Sequence, residues 1–180
     1  MARAGILLTL AAGIAGCASS PPLRFYTLSS VGNESAGGNA PGAIRVVRVT
    51  LPGEIDRPEL VRRIDANRLQ LAEEDRWAAP IGEMIRRTLS ADLQSRVPAV
   101  SGDPAQLSVE IEEFIGAADC TVTLRAAWSL KSADASTSSS RGYETVRVEP
   151  SGACAVSALP EAMSRALAEL SNRIVAARRT

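Results

Sequence analysis

The sequence contains no histidine. That absence removes His-based catalytic triads, His-ligated zinc or iron, and the commonest general base near pH 7. Cysteine is scarce, at three residues in 180, and aromatics make up only 3 %. Neither charge sign is in excess, because Lys+Arg and Asp+Glu both total 20. The chain therefore lacks the cationic surplus that neutralises phosphates, and nucleic-acid binding is disfavoured. No run of 18 or more apolar residues occurs, so no segment has the hydropathy of a spanning helix. No GxSxG elbow, Walker A loop or GxGxxG is present. The densest acidic group is Glu110, Glu112 and Glu113. It has the makings of a hard-cation site or a carboxylate pair, but strand alternation puts Glu110 and Glu112 on one solvated face. A non-enzymatic protein without a metal is expected.

What is present begins at the N-terminus. Arg3 precedes the ten-residue apolar run Gly5 to Ile14, and Ile14-Ala15-Gly16-Cys17 closes the segment. Ten apolar residues are too short to span a bilayer and suit the h-region of a secretory signal. A cysteine directly after a small pair is the lipobox pattern of bacterial lipoproteins. Residues 1–16 are expected to be a signal peptide cut before Cys17. Diacylglycerol and acyl chains on Cys17 then serve as the anchor, with no dissociable cofactor. Each buried CH₂ contributes about 0.8 kcal/mol, so several chains hold far better than one. Residues 17–23 form the lipidated cysteine and its tether, stiffened by Pro21 and Pro22, and residues 24–180 form a single domain.

Cys120 and Cys154 remain. In an exported chain an even number of cysteines reads as a disulfide, two buried thiols being the other reading. Leu107, Val109 and Ile111 alternate with polar residues, as do Cys120, Val122, Leu124, Ala126, Trp128 and Leu130. Tyr143 to Glu149 returns after the polar tip Ser132 to Ser140. Folding that hairpin about residue 136 sets Cys120 opposite roughly residue 152 and brings Cys154 near it.

Ile44 to Leu51 reads as a strand, with a phase slip at Val46-Val47 that predicts a β-bulge. Leu60 to Ile64 and Leu69 to Leu71 read as a hairpin around Asp65-Ala66-Asn67, although residues 58–74 are also compatible with a helix. Trp77, Ile81, Met84, Ile85, Leu89, Leu93 and Val97 recur at helical spacing, so a helix is expected from Trp77 to Val97, with Asp75 as its cap, Glu73-Glu74-Asp75 as N-terminal charge and Pro98 as its stop. A second helix is expected from Pro160 to about Arg178, capped by Ser157, with Arg178 and Arg179 at the negative end of its dipole. With the short run Arg24 to Leu28, the expected order is β-β-β-β-α-β-β-β-α. The fold class is α+β: a largely antiparallel sheet, with room for mixed pairing, and two amphipathic helices on one face. Trp77 and Trp128 stand out among six aromatics and serve either as core or as a lipid- or partner-contacting platform.

Several stretches together resemble the PqiC family of ABC-type transport auxiliary lipoproteins. They are the lipobox followed by Pro22 to Leu28 (PLRFYTL), Val49 to Val61, Asn67 to Leu71, Arg76 to Ala78 and Ala126 to Leu130. The resemblance implies a non-enzymatic auxiliary of intermembrane lipid transport. It would be anchored on the periplasmic face of the outer membrane and work with an MCE-domain conduit protein and its transport complex; docking as a homo-oligomeric ring is a further expectation. Arg57, Pro58, Asn67 and Arg68 match the family pattern and are candidates for docking or for folding. Ala18 follows Cys17; an aspartate there would resemble an inner-membrane retention signal, so outer-membrane placement is favoured.

Overall fold

The computed structural model describes residues 21–32, 44–97, 103–132 and 139–178. The expected signal segment, Cys17, the tether up to Ser20, Pro98 and Arg179 lie outside the described residues. Seven strands and two helices follow one another in the expected order: β1 (Arg24–Tyr26), β2 (Ile44–Thr50), β3 (Glu59–Arg63), β4 (Leu69–Trp77), α1 (Ile81–Arg96), β5 (Ala105–Gly116), β6 (Val122–Lys131), β7 (Ser140–Val148) and α2 (Leu159–Ala177).

The strands make one sheet in the order β1-β4-β3-β5-β6-β7, and β2 lies beside β5. The sheet is mixed. β5, β6 and β7 form an antiparallel meander and β3–β4 is an antiparallel hairpin, whereas β1–β4, β2–β5 and β3–β5 are parallel. The 58–74 region is thus a hairpin, not a helix. One edge of β5 serves two neighbours: β2 pairs along Ala105 to Glu110, and β3 touches only its far end, Arg62 opposite Gly116. The bulge expected at Val46-Val47 is present, since the register slips between Val46 and Arg48 and leaves Val47 exposed.

Both helices cover the same face. α1 lies against β2 and α2, and α2 lies on β6 and β7. Met84, Ile85, Leu89 and Leu93 of α1 and Ala166, Leu167, Leu170 and Ile174 of α2 meet Leu107, Val109, Leu124 and Val146 from the sheet in one buried cluster. Burial of this apolar stripe, at about 25 cal/mol per Å², is the main stabilising term for helices of this length.

Two expected helix starts are corrected. Residues 73–77 belong to β4, and α1 begins at Ile81, directly after Pro80, with no side-chain cap. The Trp77 N–H donates to the Pro58 carbonyl at 2.7 Å and Trp77 pairs with Tyr26, so sheet pairing claims the residue before a helix can. Trp77 matches the helical stripe only because it enters the same core as the last residue of β4. Asp75 and its acidic neighbours therefore do not cap or charge a helix. Ser157 does not cap α2 either: a 3-10 turn over Val156–Ala158 leads into it, and Ala158 holds the cap position. Pro160 in the first turn has no N–H to satisfy, so a capping oxygen is less needed there.

Candidate functional site

The face of the sheet opposite the helices is open and polar. Cross-strand register builds it in rows. Arg48, Ser108, Ser129 and Arg141 form one row across β2, β5, β6 and β7, and Arg45, Gln106 and Lys131 form the next. Strands lie about 4.8 Å apart, so Arg48 and Arg141 stand about 14 Å from each other with two hydroxyls between them. Arg45, Arg48, Lys131 and Arg141 are exposed. The acidic cluster lies farther along the same face, and Glu112 and Glu113 of it are engaged. Tyr143 donates its hydroxyl to Glu112 at 2.8 Å, which pushes the Tyr143 phenol up from its ordinary pKa, first through that hydrogen bond. A second bulge, between Ile111 and Glu113, turns Glu113 onto this face, where Arg125 at 3.2 Å and Arg63 at 3.5 Å pair with it. Among the described residues no group of three or more His, Cys, Asp or Glu is arranged to hold a metal ion.

The structure does not gather the sequence-selected residues into one site. Trp128 lies on the helix side of β6 and is buried, and Trp77 is buried at the end of β4. Arg57 pairs with Glu59, and Pro58 supplies the carbonyl that receives Trp77. Asn67 and Arg68 form the end of the β3–β4 hairpin. There the Asp65 carboxylate accepts from the Asn67 N–H at 3.0 Å and from the Arg68 guanidinium, and both contacts hold Asp65 below the usual carboxylate range. Cys120 and Cys154 are joined, with Cα atoms 5.3 Å apart. The bridge ties the β5–β6 turn to the segment leading into α2. Leu130 faces Ser140, so the β6–β7 hairpin folds about residue 135, one position from the expected centre.

Sequence reasoning missed how the first strand is held. β1 pairs with β4 through only three residues, and a buried carboxylate reinforces it. Arg24 donates from Nε and Nη2 to the two Asp75 oxygens at 2.7 and 2.9 Å, and the Tyr26 hydroxyl donates to Oδ1 at 2.8 Å. The fork geometry makes this a strong kind of ion pair. It holds Asp75 below the usual carboxylate range, chiefly through the Arg24 hydrogen bonds, while burial and the bond to Asp75 raise Tyr26. The partners are 51 residues apart, so no local spacing reveals them. Because the folded-state value is depressed, the stability it contributes is present above the unfolded value of about 4 and is lost as pH falls through the folded value. Asp75→Ala should accordingly free β1 at neutral pH, and acidification of the wild type through that depressed folded-state value should do the same. Hydrogen exchange of the Arg24–Tyr26 amides reads this directly; unchanged protection in Asp75→Ala would mean that the three backbone pairs suffice.

After β1 the chain crosses α1. Asp92 is fully buried, and its Oδ1 accepts from the Ser30 hydroxyl at 2.7 Å, the Val31 N–H at 3.1 Å, the Gly32 N–H at 3.3 Å and Arg96 at 3.3 Å. This latch closes one side of a shallow groove of about 240 Å³ lined by Thr27, Leu28, Ser30, Met84, Arg87 and Thr88. A β-carbon on Gly32 would stand 2.1 Å from the Ser95 hydroxyl oxygen, so the chain passes closer to α1 here than any side chain allows.

The family model of the ABC-type transport auxiliary lipoprotein component matches residues 26–175, nearly all of the described domain. The chain belongs to this family. Among its relatives is the intermembrane transport lipoprotein PqiC of Escherichia coli K12, 30 % identical over 135 residues that cover 69 % of this chain and 72 % of that protein. The PqiC of Shigella flexneri matches to the same extent. Two solved structures share the fold. One, of an uncharacterised protein, has a TM-score of 0.71 at 18 % identity and covers 88 % of this chain and 99 % of its own. The other, from Xanthomonas campestris, has a TM-score of 0.62 at 17 % identity and covers 85 % and 92 %. Arg24, Tyr26 and Trp77, which lie in stretches that carried the family resemblance, prove to be residues that fasten β1 to the rest of the sheet.

Proposed function

We propose that this lipoprotein is held on the periplasmic face of the outer membrane by acyl chains on Cys17. There it docks an MCE-domain conduit protein of an intermembrane phospholipid transport system, as a ring of copies around the conduit tip. The observation that carries this reading is the family match over residues 26–175, in a family of transport auxiliary lipoproteins whose relatives include an intermembrane transport protein. The open sheet face supports it with a flat, polar surface and four cations in two adjacent rows. Such a face steers an acidic partner and sets its register more than it sets affinity. No catalytic step is assigned to the protein.

Crosslinking in intact cells, then purification of the tagged protein and mass spectrometry, tests the reading. The expected result is an MCE-domain protein crosslinked near Arg48 and Arg141. Recovery of unrelated envelope proteins alone, in good yield, would point instead to a structural or assembly lipoprotein of another complex. Cys17→Ser should release the protein from the membrane fraction and remove the crosslinks while leaving the domain folded by circular dichroism. Retention of Cys17→Ser in the outer-membrane fraction would defeat the anchor assignment.

A further inference from the structure

Eight large apolar side chains are exposed among the described residues, and their placement is uneven. Ile64, Leu69 and Leu71 are exposed by 39, 37 and 38 % at the end of the β3–β4 hairpin, and Leu23 and Phe25 by 50 and 63 % at β1. Scattered exposed apolar residues need no explanation, but three of eight at the end of one hairpin do, and Leu23 and Phe25 lie at the strand beside it. Leu69 and Leu71 pair with Arg63 and Val61 and share the open face of the sheet. Ile64 alternates to the opposite face. The hairpin end therefore presents apolar side chains on both sides. A flat protein partner covers one side of a ribbon, whereas an apolar medium takes both. Arg68 is paired with Asp65 and Arg63 with Glu113. That leaves Arg62, bonded to the neutral Gln70, as the cation here without an acidic partner among the described residues, one that suits an anionic headgroup while its stem lies along apolar surface.

Strand direction and chain length point to the same surface. β4 runs from the hairpin end toward α1, and β1 runs parallel to it, so the chain enters β1 at Leu23 from the hairpin side. Seven residues from Cys17 to Arg24 reach at most about 25 Å. Arg24 stands level with Asp75, and the six residues from Asp75 back to Leu69 span about 20 Å at most along β4. A cysteine fixed in a leaflet and the hairpin end therefore reach one plane.

We infer that the end of the β3–β4 hairpin, through Ile64, Leu69 and Leu71, inserts into the headgroup region of the phospholipid leaflet that holds the lipid on Cys17. The inference rests on the reading of Cys17 as the anchor. It also orients the domain: Arg45, Arg48, Lys131 and Arg141 lie at the opposite end of the strands, turned away from the bilayer toward an incoming partner.

The test uses the full chain, purified with its lipid and reconstituted into phosphatidylethanolamine/phosphatidylglycerol vesicles with and without brominated acyl chains. Leu69→Trp adds a reporter at the hairpin end, and Gln106→Trp adds one at the far end of the open face. The added emission of Leu69→Trp should shift to the blue and be lost in brominated vesicles, while that of Gln106→Trp is unaffected. Leu69→Glu combined with Leu71→Glu, both at exposed positions, should abolish vesicle-dependent hydrogen-exchange protection of the hairpin amides without preventing flotation with the vesicles. Mass spectrometry of the Cys17 peptide from the same sample separates the two readings. If Cys17 is acylated and the protein floats, but Leu69→Trp is not quenched, the hairpin inference is wrong and the anchor stands. A blue shift that grows with protein density and ignores bromine would assign the hairpin to a second protein molecule and equally overturn the inference. If Cys17 carries no lipid and the protein does not float, the anchor reading falls and takes the inference with it.

Discussion

Trp128→Ala should lower the free energy of unfolding by about 3–5 kcal/mol, as expected for deleting a large buried aromatic from a packed core. Trp128 is 4 % exposed and stands directly opposite Gly142 on β7 and Val109 on β5. Its indole covers Gly142 so closely that a β-carbon there would lie 2.6 Å from a ring carbon. Gly142→Ala should therefore also destabilise the protein, because a methyl fixed to the backbone meets a rigid ring, and relief requires the indole to leave its place. The Trp128 Nε1 is buried and has no hydrogen-bond partner among the described residues. An unpaired buried donor costs free energy, so Trp128→Phe should be much milder than Trp128→Ala. Urea unfolding of the three variants checks the set. A stable Trp128→Ala protein that loses only its partner would return this residue to the role of a docking platform, which its burial argues against.

Loss of the Cys120–Cys154 bridge should be the other large effect. The two cysteines are 34 positions apart, and closing a loop of this size contributes about 3–4 kcal/mol by restricting the unfolded chain. Its position adds a local argument. Cys120 is fully buried and has a φ of 64°, a left-handed conformation that disfavours residues with a β-carbon by about 1–2 kcal/mol. The surrounding turn, in which the Cys120 N–H donates to the Ala117 carbonyl and the Ala117 N–H to Thr121, imposes it. Urea unfolding of Cys120→Ala with Cys154→Ala should show the full loss, and wild type in reducing agent should follow it. Cys120→Gly with Cys154→Ala should recover about 1 kcal/mol, since glycine takes a positive φ without cost. Equal stability of the two double variants would mean that the turn relaxes once the bridge is gone. Disulfides of this kind persist in oxidising compartments.

Much of the architecture was legible in the order of residues. Alternation in Leu107 to Ile111 and in Val122 to Leu130 specified two strands with one wet face each, and the polar stretch after Lys131 specified the hairpin that returns along β7. From that register alone the two cysteines were expected to meet. The bulge at Val46-Val47 was visible as a slip of phase. The stripes from Ile81 to Leu93 and from Met163 to Ile174 specified two helices that need one common apolar surface. These features are local: each follows from side-chain periodicity within a dozen or so residues, where the chain has little freedom to do otherwise.

The rest depended on partners distant in sequence. β1 is three residues long and meaningless alone, and it exists because Arg24 finds Asp75 and Tyr26 pairs with Trp77. The same pairing keeps residues 73–77 in a strand although their spacing continues a helical stripe. A tertiary hydrogen-bond ladder outweighs a local preference worth tenths of a kcal/mol per residue. Parallel neighbours such as Ile44 and Ala105 carry no signal of each other, because they are joined by a long crossover instead of a turn. The two tryptophans could be core or platform on sequence alone, and only the position of Gly142 and the helices above β6 made Trp128 core. Side-chain composition determined which segments become strands and helices. The fold decided which distant segments share an edge or an end of the sheet, since that choice is made by simultaneous burial and hydrogen bonding across the whole domain.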